Sequence, residues 1–396
     1  MNEEIVIVSA VRTPIGRYGG SLKDVSSGHL AALTIKEAVK RAGISLDSVD
    51  EVIMGEVRQT TESSNVARVA ALRAGIPDTA PAYTVNRLCA SGMQAIASGI
   101  QQIVFGQAEI VVAGGTENMS RSPIYLRNSR FGGDRTILVD SNSEAGQQPN
   151  ERYGSNLGMG ITAENVAAQY DISREDQDLF AIESQQRAYK AIKAGVFKEE
   201  IVSVEIKEKK RSFVFDTDEH PRPETTFEKL SSLRPAFKEN GTVTAGNACG
   251  RNDGSSALVI MTARKAKELG IKPLAKIVDW ATAAVSPEVM GIGPVPAVNR
   301  LVERTGVPLN EIGLFELNEA FASQALAVIR TLNINAEKVN VNGGAIALGH
   351  PVGSTGARII TTLAHEMSRR NEKYGIATLC VGGGQGMAMM IELVNS

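Results

Sequence analysis

Val85-Asn86-Arg87-Leu88-Cys89-Ala90-Ser91-Gly92-Met93 leads straight into Gln94-Ala95-Ile96-Ala97-Ser98-Gly99-Ile100. The first residues read as a short strand and the rest as a helix crowded with Ala, Ser and Gly. A helix with small residues all round has no face that must reach water, so it packs on every side. Cys89 then stands at the N-terminus of a buried helix, where the partial positive charge of the first turn favours the thiolate, the nucleophilic form of cysteine. Free cysteine is also a common small core residue, so a catalytic reading needs a base and an oxyanion-holding group from elsewhere in the chain.

Around this stretch the chain alternates. Ile5 to Ala10 and Glu51 to Met54 read as buried strands, separated by a helix from about Ser27 to Ala42 that stops at Gly43. After the Cys89 helix comes Ala108-Glu109-Ile110-Val111-Val112-Ala113-Gly114-Gly115, another apolar run closed by glycines. Alternation of this kind predicts an α/β layer structure with a largely parallel sheet. The same order returns about 260 residues later. Arg41-Ala42-Gly43-Ile44-Ser45-Leu46 is echoed by Arg304-Thr305-Gly306-Val307-Pro308-Leu309, Val85-Asn86 by Val341-Asn342, and Gly114-Gly115 by Gly382-Gly383. Two similar halves are implied, 1–120 with 251–272 and 273–396, related as a pseudo-twofold pair that brings equivalent strand ends together.

Between them, 121–250 reads differently. Ser122 to Ser155 is polar and poor in apolar clusters. Ser173-Arg174-Glu175-Asp176 looks like a capping box opening a helix that carries Leu179, Ile182, Tyr189 and Ile192 on one side and ends at Gly195. Lys207, Lys209, Lys210 and Arg211 form a basic run that reads as a solvated strand edge, with a phosphate contact as the alternative.

Composition narrows the function. With 396 residues, 43% hydrophobic and 22% charged, the chain has the makeup of a soluble globular protein with a sizeable core. A formal charge of −2 gives no global basic surface for nucleic acid. Three cysteines without CxxC spacing read as reduced thiols in a cytoplasm-like compartment, and no metal-ligand pattern is visible. The N-terminus has no basic region or long apolar run, so no targeting segment or membrane span is expected.

Of the four histidines, His350 alone sits in a suspicious setting, Asn342-Gly343-Gly344-Ala345-Ile346-Ala347-Leu348-Gly349-His350-Pro351 followed by Gly353-Ser354-Thr355-Gly356. His365 falls off the apolar stripe of the next helix and reads as structural or exposed. Cys380 precedes Val381-Gly382-Gly383-Gly384, glycines that let a substrate carbonyl approach backbone N–H donors. The run after these glycines, Met387-Ala388-Met389-Met390-Ile391, is apolar and strand-like, so a dinucleotide-binding loop is rejected. Asn318, in Phe315-Glu316-Leu317-Asn318-Glu319-Ala320-Phe321-Ala322, lies where strand passes into helix; its amide can hold a water or a carbonyl, or simply cap the helix.

Together Asn86-Arg87-Leu88-Cys89-Ala90-Ser91-Gly92, Asn318-Glu319-Ala320-Phe321-Ala322, Gly343 to Pro351 and Cys380 to Gly384, with Gly241-Thr242-Val243-Thr244-Ala245-Gly246-Asn247, resemble the thiolases, acyl-CoA acyltransferases. The resemblance spans essentially the whole chain. It implies a five-layer α/β/α/β/α core of two similar halves, with a loop domain inserted in the first. It implies that Cys89 takes the acyl group, that His350 is its base, and that Cys380 is the second acid/base. Asn318, through a water, and His350 would form one oxyanion hole, and the N–H groups of Cys89 and Gly382 the other. The thiol of Cys89, ordinarily titrating at about 8.5, is then expected to be lowered by helix and histidine.

On the same resemblance, coenzyme A is a substrate rather than a cofactor and lies on the loop domain. Arg222 would meet its adenine end, while Met159, Phe237, Ala245, Cys249, Met290 and Phe321 would line the pantetheine and acyl path. Two departures stand out: Cys249 occupies a position where many members carry Ser, and Gly158 one where acetoacetyl-CoA-specific members usually carry His. The implied function is CoA-dependent thiolytic cleavage of 3-ketoacyl-CoA, in fatty-acid degradation. The alternative is acetyl-CoA C-acetyltransferase, condensing two acetyl-CoA, and the remoter one a non-catalytic acyl-CoA-binding protein. The resemblance also implies a homodimer, paired into a homotetramer through the loop near Ser122 to Ser141.

Overall fold

A computed structural model describes residues 3–132, 136–143, 146–207 and 212–394. Its spine is a ten-stranded sheet. Nine strands follow the spatial order Leu314–Leu317, Tyr374–Val381, Gln385–Leu393, Ala275–Ala284, Ile5–Arg12, Asn252–Thr262, Ile110–Asn118, Glu51–Gly55 and Ala82–Val85, and the short Gly16–Arg17 strand pairs with the Asn252–Thr262 strand. The repeat read from the sequence is present as topology. In the first half Ala82–Val85 lies parallel to Glu51–Gly55, which lies parallel to Ile110–Asn118. In the second, Val339 bridges in parallel to Phe315, and Leu314–Leu317 lies parallel to Tyr374–Val381.

The sheet is mixed rather than largely parallel. The Tyr374–Val381 and Gln385–Leu393 strands are joined by a glycine turn, with Gly383 and Gly384 at φ 78° and 85°, and a tight turn allows only antiparallel pairing. Asn252–Thr262 returns from the inserted segment to lie antiparallel to both Ile5–Arg12 and Ile110–Asn118. The halves meet where Ile5–Ile7 pairs with Ala275–Ile277.

Two helices, Ser91–Val104 and Val352–Arg370, form the central layer. Met93, Ile96, Ile100, Ile359, Ile360 and Leu363 are buried there with strand residues of both halves, each burial contributing about 1.5–3 kcal/mol. The helices touch through small residues: a Cβ on Gly92 would lie 2.7 Å from the Ala357 nitrogen, and one on Gly356 would run into the Met93 backbone. That contact brings the two helix N-termini side by side.

The Ser27–Arg41 helix ends as expected, with Gly43 at φ 70° just beyond it. The Arg174–Ala194 helix has its expected cap, Ser173 Oγ accepting Asp176 N–H at 3.0 Å, but of the expected apolar side only Ile182 and Ile192 pack inward. Leu179 and Tyr189 are about half exposed, whereas Gln177, Asp178, Ala181, Ser184, Gln185, Ala188 and Ala191 are buried. Hydrogen bonds to polar partners on that side compensate what apolar burial would otherwise supply.

The Ile124–Arg127 and Ile137–Asp140 strands form an antiparallel hairpin. Poor in apolar residues as the surrounding segment is, the hairpin displays Ile124, Leu126 and Leu138, at 66%, 55% and 72% exposure. Lys207 is exposed at the end of the half-buried Val204–Lys207 strand, and Lys209, Lys210 and Arg211 lie outside the described residues. No helix among the described residues is long and apolar enough to cross a membrane.

Candidate active site

Cys89 sits in a turn between the Ala82–Val85 strand and the Ser91–Val104 helix, two residues ahead of the first helical residue. The turn is sharp because Leu88 adopts φ 47°, a left-handed conformation that a branched side chain tolerates only under constraint. The constraint is local: Leu88 N–H donates to Asn86 Oδ1 at 2.9 Å, Arg87 N–H to Ser91 Oγ at 2.9 Å, and Ser91 Oγ–H to the Leu88 carbonyl at 2.6 Å. The result is a half-buried thiol lifted clear of its strand.

Burial pushes the Cys89 thiol up, opposed by hydrogen bonds to its sulfur from the Gly382 and Cys89 backbone N–H groups and by the Arg58 charge. This overturns the expectation of a thiol lowered by helix and histidine: desolvation outweighs the helix terminus. The geometry does bring Gly382 to Cys89, across the two halves.

His350 follows Gly349, where a φ of 105° and a Cβ that would collide with Asn252 both require glycine. Asn252 Oδ1 accepts the His350 N–H at 2.9 Å and fixes the backbone. The ring is set by Thr355, whose Oγ1 lies 2.6 Å from His350 Nδ1. Thr355 Oγ1–H donates to the Pro351 carbonyl at 2.9 Å, so the hydroxyl accepts from His350, and Nδ1 carries the proton. Nε2 is left with its lone pair free. Burial above all, and then the Arg358 guanidinium, push the imidazole down to about 3. At neutral pH the Cys89 thiol and the His350 imidazole are therefore both neutral.

Asn318 is fully buried after the Leu314–Leu317 strand, its N–H held by the Thr378 carbonyl at 2.9 Å. Neither end of its side-chain amide has a protein partner, a costly arrangement for a buried group unless the amide serves a ligand. Cys380 closes the Tyr374–Val381 strand, fully buried beside Ala163, Val243, Ala248, Met290, Ala320 and Phe321, with Met159 against them. Burial, then the neighbouring Cys89 and Cys249, raise its thiol well above the ordinary range. Such a thiol stays protonated at neutral pH.

The remaining predicted residues divide. Met159, Met290 and Phe321 gather around Cys380. Phe237, 45% exposed, sets its ring edge-to-face against Phe321 at 6.1 Å. Cys249 N–H bonds to the Ala320 carbonyl at 3.1 Å, and burial, then Cys89, push its thiol up to about 12. Ala245 is exposed on the loop before Asn247. Arg222 stands apart from the Cys380 cluster, exposed, with its N–H held by Gln185 Oε1 at 2.7 Å. His365 is structural, its Nε2 3.0 Å from the Ala10 carbonyl.

Sequence reasoning passed over several supports. Glu117 accepts the N–H groups of Val57, Arg58 and Gly353 at 2.9–3.0 Å, tying the loop after the Glu51–Gly55 strand to the helix after His350. Glu319 accepts from Ser184 Oγ, Asn340 Nδ2 and Ile346 N–H, binding the Asn318 segment to the His350 loop. Thr355 and Glu319 stood inside motifs already singled out, and their residue types were the available signal.

A family model described as "Thiolase, N-terminal domain" matches residues 5–264, and "Thiolase, C-terminal domain" matches 271–393. An acetyl-CoA acetyltransferase of Syntrophomonas wolfei is 50% identical over 398 aligned positions, covering 99% of this chain and 100% of the relative. The crystal structure of the Bacillus anthracis acetyl-CoA acetyltransferase superposes with a TM-score of 0.96 at 50% identity, covering 99% of each chain. That of human mitochondrial 3-ketoacyl-CoA thiolase in complex with CoA gives 0.94 at 44% identity, covering 99% of this chain and 98% of the other.

Proposed function

The chain belongs to the thiolase family and is an acyltransferase; from that premise we propose that it works in the cleaving direction, on 3-ketoacyl-CoA longer than acetoacetyl-CoA. The observation that carries this reading is Gly158. At this exposed position a Cβ meets nothing within 4 Å, beside the Met159 that packs toward Cys380. Where a His would close the path, this chain leaves room. The condensing direction uses the same residues and is the second reading.

In the proposed cycle Cys89 Sγ attacks the 3-keto carbon while His350 Nε2 takes the thiol proton. The Cys89 and Gly382 N–H groups, both directed at the sulfur, hold one oxyanion; the Asn318 amide and His350 serve the other. The C2–C3 bond breaks, its electron pair passing to acetyl-CoA carbon, which Cys380 protonates. CoA thiol, deprotonated by Cys380, attacks the acyl-Cys89, and His350 returns its proton to the leaving cysteine. A non-catalytic carrier would have no use for a strained nucleophile turn, an imidazole with a free Nε2 and a second protonated thiol together.

CoA is assigned to the inserted segment 121–250, its nucleotide end toward Arg222 and its pantetheine along Phe237, Ala245, Cys249 and Phe321. A role in fatty-acid degradation and a cytoplasmic setting go with this reading. So does a homodimer paired into a tetramer through the exposed Ile124–Asp140 hairpin, whose apolar side chains fit a self-complementary contact.

The test is thiolysis by purified enzyme, comparing kcat/KM for acetoacetyl-CoA with that for a medium-chain 3-ketoacyl-CoA. Preference for the longer substrate is expected; preference for acetoacetyl-CoA assigns the acetyltransferase reaction instead.

A further inference from the structure

The inward face of the Arg174–Ala194 helix carries two adjacent polar residues, Ser184 and Gln185, only 2% and 6% exposed. Both ends of the Gln185 amide are engaged. Its Oε1 accepts the Arg222 N–H at 2.7 Å, and its Nε2 donates to the Ile346 carbonyl at 3.3 Å. Ile346 belongs to the short Ala345–Leu348 helix, which runs through Gly349 into His350. One side chain thus joins the segment that carries Arg222 to the loop that carries the base.

The loop is held from the same helix a second time. Ser184 Oγ accepts the Gly344 N–H at 3.1 Å and donates to Glu319 at 2.7 Å, and Glu319 in turn takes the Ile346 N–H at 3.1 Å. These bonds stay within the helix and the catalytic loops. Of these two residues, Gln185 alone reaches outward, to the largely exposed stretch from Arg222 to Thr226. A buried glutamine there is not a packing choice, since a leucine or methionine would fill the same volume without a polar group to satisfy.

We propose that Gln185 is a positioning residue that makes the setting of His350 depend on the phosphate-bearing nucleotide end of CoA. The proposal rests on the reading of Arg222 as the contact for that end. With the nucleotide on Arg222, the backbone N–H at that residue is held in place, the Gln185 amide is pinned from one side, and its other side holds the Ile346 carbonyl. Binding energy from a part of the substrate remote from the reacting carbon is then used to order the base, raising kcat rather than lowering KM.

The experiment compares two substrate pairs: acetoacetyl-CoA with CoA, and acetoacetyl-pantetheine with pantetheine, which lacks the nucleotide. Gln185→Glu keeps an acceptor for the Arg222 N–H but loses the donor to Ile346. With the CoA pair it is expected to lower kcat about tenfold while KM stays within about twofold, and with the pantetheine pair to stay within about twofold of wild type. An equal fall with both pairs means that Gln185 merely holds the fold, and overturns the proposal. Should the carboxylate disturb packing, seen as a lost thermal transition, Gln185→Met removes both hydrogen bonds at similar volume and is read by the same ratio. Arg222→Ala separates the underlying reading: it is expected to raise KM for CoA and not for pantetheine. If it does so while Gln185→Glu acts equally on both pairs, the coupling alone fails. If Arg222→Ala leaves KM for CoA unchanged, the assignment of the nucleotide end fails and takes the coupling with it.

Discussion

Replacing Thr355 with Val changes one hydroxyl for a methyl and leaves the side-chain volume nearly the same. The wild-type hydroxyl does two things: it accepts the His350 Nδ1–H at 2.6 Å and donates to the Pro351 carbonyl at 2.9 Å. In Thr355→Val the Nδ1–H is left buried without an acceptor, at a cost of about 1–3 kcal/mol. The ring escapes that cost by moving its proton to Nε2 or by turning, and either removes the lone pair that Cys89 needs. Reaching the competent form then costs the same 1–3 kcal/mol, so kcat for thiolysis falls roughly tenfold to a hundredfold with KM little changed. The assay is steady-state thiolysis of acetoacetyl-CoA at saturating CoA, with Thr355→Ser alongside, which restores the hydroxyl and should recover most of the rate. A Thr355→Val enzyme within twofold of wild type, or a Thr355→Ser enzyme as slow as Thr355→Val, refutes the tautomer assignment.

Three more outcomes rest on buried charge, close packing and the exposed hairpin. Glu56 is buried with Glu117 beside it, and desolvation, then that neighbour, push its carboxyl up to about 8. A raised folded-state value means that its contribution to stability is whole below the unfolded value of about 4.5 and is lost as pH rises toward 8, an upper bound of about 3 kcal/mol by pH 7. Glu56→Gln should therefore show a smaller fall in Tm between pH 5 and pH 8 than wild type, and an unchanged fall removes Glu56 as its source. Gly92→Val places carbon where the Ala357 backbone sits, 2.7 Å from a Cβ, and overpacking of this kind costs about 1–3 kcal/mol or more; chemical denaturation should show the loss, and Cys89 reactivity should fall with it. Ile124→Asp with Leu138→Asp is expected to halve the assembly seen by sedimentation without lowering activity per chain, whereas an unaltered mass excludes the hairpin as the contact.

Much of this molecule is legible in sequence because its chemistry is local in sequence. Cys89, Asn318, His350 and Cys380 each lie at the end of a strand or in a glycine-bearing turn, so residue type and neighbours mark them. The repeat is visible for the same reason, since each half rebuilds the same strand ends. The features that escape are those that depend on distant partners. Gln185 meets Ile346 across 161 residues, and Glu117 meets Gly353 across 236, so no window of sequence shows either pair. The raised Cys89 thiol escapes because helix position is written in the sequence while desolvation is not. The Arg174–Ala194 helix is only partly legible because Ile182 and Ile192 do pack inward, while Leu179 and Tyr189 face outward and Gln177, Asp178, Ser184 and Gln185 are paired inside.

The most direct test is of Cys89 as the acyl carrier, with Cys380 and Cys249 held protonated. Enzyme incubated with acetyl-CoA, quenched in acid and digested, should show by peptide mass spectrometry one acetyl group, on the peptide containing Cys89. Acetyl on the Cys380 or Cys249 peptide, or a Cys89→Ala enzyme that still turns over, would contradict the mechanism.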